Sequence, residues 1–328
     1  MIKTSDFITL KYTPDLTRAG IAYACRSLPY TYDRMGGSLF NRLRRIVAGV
    51  AVELAFRRHL NNTEVPHDSL GATPFTNPDR YDIAIGGRRC DIKSFMIAHK
   101  DRIRLIRQEP HQLLAAQALV PVDQIASDHL IDDDLYVFAF LTTLITPNHQ
   151  SLQQALDANQ PVYLIHALPK AWSRPEPWGS FGTLVLKSDS SQAVKLELGG
   201  QDADHKFLTE QIILNPRERS KTRQEFYTLS YLYTPRLPDG ILGVHCPKLK
   251  DTQLIKPITW GNIWVYGLEI IFTGYITRGE FRKKTIRLPE GSRVLQYSRT
   301  RTENFTLPIS DLYPLKDLFD RAKSWEQK

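Results

Sequence analysis

Tyr81-Asp82-Ile83-Ala84-Ile85-Gly86-Gly87-Arg88-Arg89-Cys90-Asp91-Ile92-Lys93-Ser94 is the stretch whose reading decides the fold. Two short alternating runs flank a Gly-Gly pair. Glycine adopts positive φ without steric cost, so the pair predicts a two-residue hairpin turn. With Gly86 and Gly87 as the turn residues, Ile85 pairs with Arg88, Ala84 with Arg89, Ile83 with Cys90 and Asp82 with Asp91. Successive side chains point to opposite faces of a strand. Ile83, Ile85, Cys90 and Ile92 therefore share one face, apolar except for Arg88 beside the turn. Asp82, Asp91 and Lys93 share the other.

Two carboxylates facing each other across a hairpin have Cβ atoms about 4.5–5.5 Å apart, and like charges there destabilise the sheet. A cation belongs between them. Lys93 is one candidate and a hard divalent ion is another. Mg²⁺ binds oxygen ligands and needs only one or two carboxylates besides water and substrate phosphate.

Upstream, Leu39–Leu60 predicts a long helix. Phe40, Leu43, Val47, Val50 and Leu54 recur at three- and four-residue steps, with Ser38 at the start and Asn61-Asn62 at the end. On a helical wheel Glu53 falls roughly 90° from the centre of the apolar stripe, at its edge. There it is placed to lean over a neighbouring sheet, or to pair with Arg57 one turn on.

Outward from this core, Val65–Asp79 reads as a polar loop. Arg102–Leu119 reads as helical with a break at Pro110, and Leu135–Thr143 as a buried strand. From Thr146 to Thr259 come turn clusters and short strand patterns: Val162–His166, Gly182–Lys187, Ala193–Leu198 and Phe226–Tyr233. Ile263–Ile276 is strand-rich, Thr277–Lys284 a short helix, and Ser310–Trp325 helical with an interruption at Pro314. The expected class is α/β, a mixed sheet flanked by helices with a β-rich second module. One division sets residues 1–145 with 262–328 as a discontinuous core around a β-rich insertion, 146–261. The simpler one splits the chain into 1–177 and 178–328.

Asp82, then Asp91-Ile92-Lys93 across a short hairpin, with Glu53 on the preceding helix, resembles the PD-(D/E)xK nuclease superfamily over Leu39–Phe95. That superfamily includes many restriction, repair and phage-defence nucleases. The helix and strand that follow, and the closing strand and short helix near Ile271–Lys284, fit its order. Asp91 stands where Glu is commoner, and the literal Pro78-Asp79 pair lies in the loop rather than at Asp82. The resemblance implies a restriction-endonuclease-like fold and Mg²⁺-dependent hydrolysis of DNA, with Mn²⁺ able to substitute. It implies Asp82, Asp91 and the Ile92 carbonyl as metal ligands, Glu53 reaching the metal or its water, and Lys93 at the attacking water. Ser94 and Gln112 or Gln117 are candidates for the rim of the site. The tripeptide alone is weak, since acid-x-Lys also occurs at Asp204–Lys206 and Glu326–Lys328. Only Asp91–Lys93 has an apolar centre, a strand setting and an opposed acid.

The whole-chain numbers agree. The 328 residues carry 43 Lys and Arg against 35 Asp and Glu, a net charge of +8 that suits a polyanionic partner. Four basic stretches are candidate phosphate contacts. They are Arg42–Arg45 (with Arg42 and Arg45), Arg217–Arg223 (Arg219, Lys221, Arg223), Arg278–Arg287 (Arg282, Lys283, Lys284) and Arg293–Arg301 (Arg299, Arg301). The 3 Cys are too few for a disulfide framework, and no zinc spacing, phosphate-binding glycine loop or nucleophile elbow is present. No apolar run reaches membrane length and no signal peptide is visible, so a cytoplasmic prokaryotic setting is expected. The expected partner is double-stranded DNA, cut by a monomer or a homodimer. A non-catalytic nucleic-acid-binding protein on the same fold is the alternative, and a β-rich ligand-binding protein a third.

Overall fold

The computed structural model describes residues 2–27, 39–68, 82–127, 130–146, 148–160, 162–263 and 266–325. The expected Ser38 cap, Pro78-Asp79 and most of the Val65–Asp79 loop lie outside them. In chain order, β1 (Ile8–Lys11) precedes α1 (Pro14–Ser27) and α2 (Leu39–Asn62). β2 (His67–Asp68) and the hairpin β3 (Ile83–Ile85) and β4 (Arg88–Ile97) follow. Next come α3 (Lys100–Gln108), β5 (Gln117–Pro121), α4 (Val122–Ser127), β6 (Leu135–Leu144) and α5 (His149–Asp157). β7 (Leu164–Ala167), α6 (Lys170–Ser173), β8 (Val185–Ser188), β9 (Val194–Gln201), β10 (Phe207–Leu214) and β11 (Arg219–Lys221) continue the chain. After β12 (Thr228–Thr234), β13 (Leu242–His245), β14 (Gln253–Ile255) and β15 (Gly261–Asn262) stands the long β16 (Tyr266–Thr277). α7 (Arg278–Lys284), β17 (Ile286–Leu288), β18 (Asn304–Pro308) and α8 (Leu315–Trp325) complete it.

The molecule is mixed α/β. A six-stranded sheet runs β1-β16-β6-β4-β3-β2, with β4 and β6 parallel and the other pairs antiparallel. β7, β9, β10, β12 and β15 make a five-stranded antiparallel sheet, β8, β11, β13 and β14 a four-stranded one, and β5, β17 and β18 a three-stranded one. The strands between β6 and β16 thus build their own two sheets, while β6 and β16 pair with each other.

β6 is buried along Leu135–Thr143 because both of its faces are covered. Leu135, Val137, Ala139 and Leu141 pack with α1, α2 and α8. Tyr136, Phe138 and Phe140 pack on the other side with residues of α3, β5 and α7. β4 divides the same way. Cys90 and Ile92 join the α2 side, and Phe95 and Ile97 the α3 side.

The hairpin has the register its sequence predicts: Ile83 opposite Cys90, Ala84 opposite Arg89, Ile85 opposite Arg88. Gly86 and Gly87 have φ of 53° and 78°, the positive values a tight turn of this hand requires. α8 closes over the turn, with Arg88 stacked 4.1 Å from the Trp325 ring. Asp134 ties the hairpin to the start of β6. Its Oδ1 accepts from the Arg89 N–H at 3.1 Å, and its Oδ2 lies 2.5 Å from the Arg89 guanidinium.

The expected helix over Arg102–Leu119 is shorter. α3 ends at Gln108, Pro110 opens a 3₁₀ turn, and Gln117–Leu119 belong to β5, paired with β18. The apolar spacing there is shared between three elements, and only the distant pairing with β18 decides the last. Thr277 caps α7, accepting from the Glu280 N–H at 3.3 Å.

One buried cation fastens the two chain crossings between the sheets. Arg44 of α2 is 7% exposed. It donates to the carbonyls of Thr146 at 3.0 Å, Asn262 at 2.6 and 3.1 Å, and Ile263 at 3.0 Å. The Asn262 amide donates to Thr146 Oγ1 at 2.8 Å and accepts from the Tyr163 N–H at 3.1 Å. Burial pulls the Arg44 guanidinium below its usual value, and the ring of carbonyls satisfies it. Arg44→Met strands these carbonyls at roughly 1–3 kcal/mol each, so urea unfolding is expected to show a loss of about 3 kcal/mol or more. A loss under about 1 kcal/mol would contradict this role.

His59, in the last turn of α2, lies 5.8 Å from the Phe319 ring, and burial pulls its imidazole below the ordinary 6.5. The folded state therefore favours the neutral ring. As pH falls through 6.5 the unfolded chain binds the extra proton first, so stability drops as the solution is acidified from there. The melting temperature is expected to fall between about pH 7 and pH 5, and His59→Gln to flatten that slope.

Candidate active site

β3 pairs with β4 only as far as Cys90, so beyond it β4 has an open edge among the described residues. Asp82 stands at this point, one residue before β3. Its main chain is held from both sides: its N–H donates to the Cys90 carbonyl at 3.1 Å, and its carbonyl accepts from Arg57 at 2.6 Å. Its carboxylate turns onto the open edge, where Oδ2 accepts the Ile92 N–H at 2.6 Å. A side-chain oxygen thus occupies the place a partner strand's carbonyl would take. The N–H and C=O of one strand residue point to the same side. The Ile92 carbonyl therefore faces the same edge, next to Asp82. The expected cross-strand pair is modified accordingly: Asp82 lies outside the ladder, with its carboxylate on the main chain beside Asp91.

Asp91 and Lys93 point to the α3 side. Lys93 Nζ lies 2.5 Å from Asp91 Oδ2 and donates to Gln124 Oε1 of α4 at 2.9 Å. The ammonium also sits 5.9 Å from the centre of the Tyr136 ring. Their side chains are 13% and 25% exposed for Lys93 and Asp91, low for charged groups. Of the two cations that the carboxylate repulsion called for, Lys93 is in contact with Asp91. Cys90, on the opposite face, senses the group. Burial raises its thiol well above the usual value; Asp82, Asp91 and Asp134 push it further, and Lys93 opposes them. The acids' fields converge on one residue, and Cys90 stays a thiol.

Glu53 is half-buried on α2, one turn before Arg57, the residue that holds the Asp82 carbonyl. α2 covers the Cys90 and Ile92 face, whereas Asp91 and Lys93 look to the other. Glu53 is thus carried by the helix on the Cys90 and Ile92 side of β4, not on the side to which Asp91 and Lys93 point. Among the described residues, no three His, Cys, Asp or Glu side chains come together as a metal-holding group. Asp82 and the Ile92 carbonyl share the edge, and Asp91 stands on the neighbouring face in contact with Lys93; oxygen donors of this kind suit Mg²⁺ or Mn²⁺ rather than zinc.

The rim candidates separate. Gln112 bonds Glu109, and Gln117 is held by Gln296 and Thr306. Ser94 is half-buried on the α2 side of β4. The glutamine that reaches Lys93 is Gln124, two residues into α4, a short helix just beyond the expected Arg102–Leu119 segment.

The basic candidates also scatter. Arg42 and Arg45 lie on α2, and the charge of Arg45 acts on Tyr297. Arg219, Lys221 and Arg223 are exposed at the rim of the four-stranded sheet. Arg282 pairs with Asp132, and Lys284 with the Tyr313 hydroxyl and Glu280, while Lys283 is exposed on α7. Arg299 and Arg301 are exposed in the loop before β18. No helix among the described residues is long and apolar enough to cross a membrane. Comparison with protein-family models, curated proteins and solved structures gave no match.

Asp91 and Lys93 should be energetically coupled. In a double-mutant cycle of Asp91→Asn and Lys93→Met, unfolding free energies are expected to show a favourable coupling of about 1 kcal/mol. Strict additivity would mean that the close contact contributes nothing.

Proposed function

We propose that this protein is a Mg²⁺-dependent endonuclease that hydrolyses phosphodiester bonds of double-stranded DNA, in a restriction or phage-defence role. The observation that carries the reading is the open edge of β4. Asp82 is clasped onto Ile92 there, and Asp91-Ile92-Lys93 places a second carboxylate and an ammonium beside it. The order of α2, the β3–β4 hairpin, α3 and a strand parallel to β4 agrees with the restriction-endonuclease-like arrangement that the motif implies.

Asp82, Asp91 and the Ile92 carbonyl would hold the cation, with Glu53 reaching toward it across the edge. A bound Mg²⁺, or Mn²⁺ in its place, supplies the charge that neutralises the phosphodiester and lowers the pKa of an attacking water. The chain's own groups supply positioning. Arg57 and Cys90 fix the Asp82 main chain, so its carboxylate needs no reorganisation when substrate arrives. Lys93 Nζ, steered by Asp91 and Gln124, orients the water and stabilises negative charge developing on the phosphoryl oxygens. The sheets between β6 and β16, attached through the Arg44 clasp, stand as an inserted module beside this core.

A second reading, a nucleic-acid-binding protein without catalysis, is favoured by one feature. Lys93 already neutralises Asp91 with no added cation. Incubation with plasmid, linear duplex, single-stranded DNA and RNA, with Mg²⁺ or with EDTA, separates the two. Duplex cleavage that EDTA abolishes is expected. Asp82→Asn, Asp91→Asn and Lys93→Met should each lower its rate by about 10²-fold or more while DNA binding persists. Gln124→Leu should cost less, about tenfold. Cleavage by Asp91→Asn at the wild-type rate would sink the endonuclease reading, and binding with no cleavage under any condition would establish the second.

Mg²⁺ should also stabilise the fold. Ligand bound only by the folded state raises stability as its concentration exceeds the dissociation constant. The melting temperature of the wild type is expected to rise with added Mg²⁺, and that of Asp82→Asn to stay flat. An equal rise in both would place the ion elsewhere.

A further inference from the structure

Phe95 follows Lys93 by two residues on the same face of β4, about 7 Å along the strand. The Tyr297 ring packs edge-on against it, 6.2 Å between centroids. Tyr297 is also part of the wall of an open pocket of about 420 Å³ lined by Arg102, Arg293, Val294, Tyr297, Ser298 and Arg299. No carboxylate is in that lining. Other arginines nearby have acid partners: Arg104 with Asp101, Arg107 with Glu269 and Arg287 with Glu303. Arg102, Arg293 and Arg299 make no ion pair among the described residues. Three guanidinium groups around one cavity with no carboxylate in its lining favour an anion there.

The loop that carries two of them is irregular yet tightly bonded. The Gly291 N–H donates to the Thr300 carbonyl at 2.9 Å, and the Thr300 N–H to the Ser292 carbonyl at 2.8 Å. The Ser292 and Thr300 hydroxyls both donate to the Pro289 carbonyl, at 2.7 and 3.1 Å. Val294 and Tyr297 exchange main-chain bonds at 3.1 and 3.2 Å. The Gln296 side chain bolts the loop to β5, donating to the Gln117 carbonyl at 2.6 Å and accepting its N–H at 3.4 Å. Arg293 and Arg299 leave this frame toward Arg102, which projects from the first turn of α3. Prearranged guanidinium forks match phosphate oxygens through charge-assisted bonds.

We propose that this arginine pocket is a phosphate-binding subsite flanking the candidate active site, holding the backbone of a nucleic-acid strand a few phosphates from the phosphodiester at Lys93. The assignment rests on the nuclease reading for its neighbour, but its own test needs no cleavage. A strand carries one phosphate per about 3.4 Å of helix axis. Phe95 stands about 7 Å along the strand from Lys93, and the Tyr297 wall of the pocket lies one ring contact of 6.2 Å beyond it, so the pocket falls within about four phosphates of the bond to be cut.

The test is fluorescence anisotropy of a labelled 20-base-pair duplex with the full chain in EDTA, across a salt series. dAMP and inorganic phosphate serve as separate probes. The combined variant Arg102→Gln/Arg293→Gln/Arg299→Gln is compared with wild type and with the control Arg104→Gln, at an exposed arginine paired with Asp101, each checked for an unchanged melting curve. The three-site variant is expected to bind duplex about tenfold or more weakly, with the slope of log K against log salt reduced by about 0.9 per phosphate released. The control should match wild type, and dAMP and phosphate should bind far more weakly than duplex. Unchanged affinity and slope in the three-site variant would overturn the proposal. So would a loss of dAMP binding with duplex binding intact, which would make the pocket a mononucleotide site. Should the melting curve shift, Arg299→Gln alone, on an exposed side chain, carries the same expectation for one phosphate. Cleavage in Mg²⁺ reads the neighbouring claim separately. A wild type that binds through these arginines but never cuts refutes the nuclease and keeps the pocket. One that cuts, while the variant binds unchanged, refutes the pocket and keeps the nuclease.

Discussion

The hydrogen bond from the Ile92 N–H to the Asp82 carboxylate is the contact on which the rest of the site depends. Among the described residues β3 covers β4 no further than Cys90, and an uncovered strand edge leaves main-chain groups seeking partners. Asp82 meets that need with a side-chain oxygen. The same contact sets an anionic group at a fixed place and leaves the Ile92 carbonyl facing the same notch. A longer β3 would complete the ladder and remove the site. The constraint is therefore one of strand length, and the charge follows from it.

Around that notch, the two-sided burial of β4 and β6 sorts the chemistry. The α2 face is closed and apolar, and from that side Arg57 reaches the Asp82 carbonyl. The α3 face holds Asp91 and Lys93, then Phe95, then Tyr297 and the arginine pocket. Negative and positive groups thus lie in sequence along one face, a few residues apart. This sharpens the meaning of a net charge of +8. Several basic residues are consumed by local acids, as Arg282 is by Asp132, while Arg102, Arg293 and Arg299, which make no ion pair among the described residues, line one cavity.

The hairpin was legible because everything that fixes it is local: Gly-Gly at the turn, alternation on either side, and an apolar face that only one register buries. α2 and the buried run of β6 were legible for the same reason. Other features depend on residues far apart in the chain. β5 exists because β18, some 180 residues on, pairs with it. Its sequence, Gln117–Pro121, carries no alternation of its own. Gln124 meets Lys93 only once that strand has turned the chain into α4. Arg102 joins Arg293 and Arg299 through the packing of Tyr297 on Phe95; the sequence marks the basic run Arg293–Arg301 but not Arg102. The turn of Asp82 out of the ladder was also hidden, because alternation describes a regular strand and Asp82 stands just where regularity ends.

The proposed metal site joins the carboxylates of Asp82 and Asp91 and the carbonyl of Ile92 around one hard divalent ion. A crystal of the full chain soaked in Mn²⁺ and measured at its absorption edge tests this directly. An anomalous peak is expected at the edge of β4, about 2.1–2.2 Å from an oxygen of each of the three residues. A map with no peak there at saturating Mn²⁺, or with the ion bound only elsewhere, would contradict it.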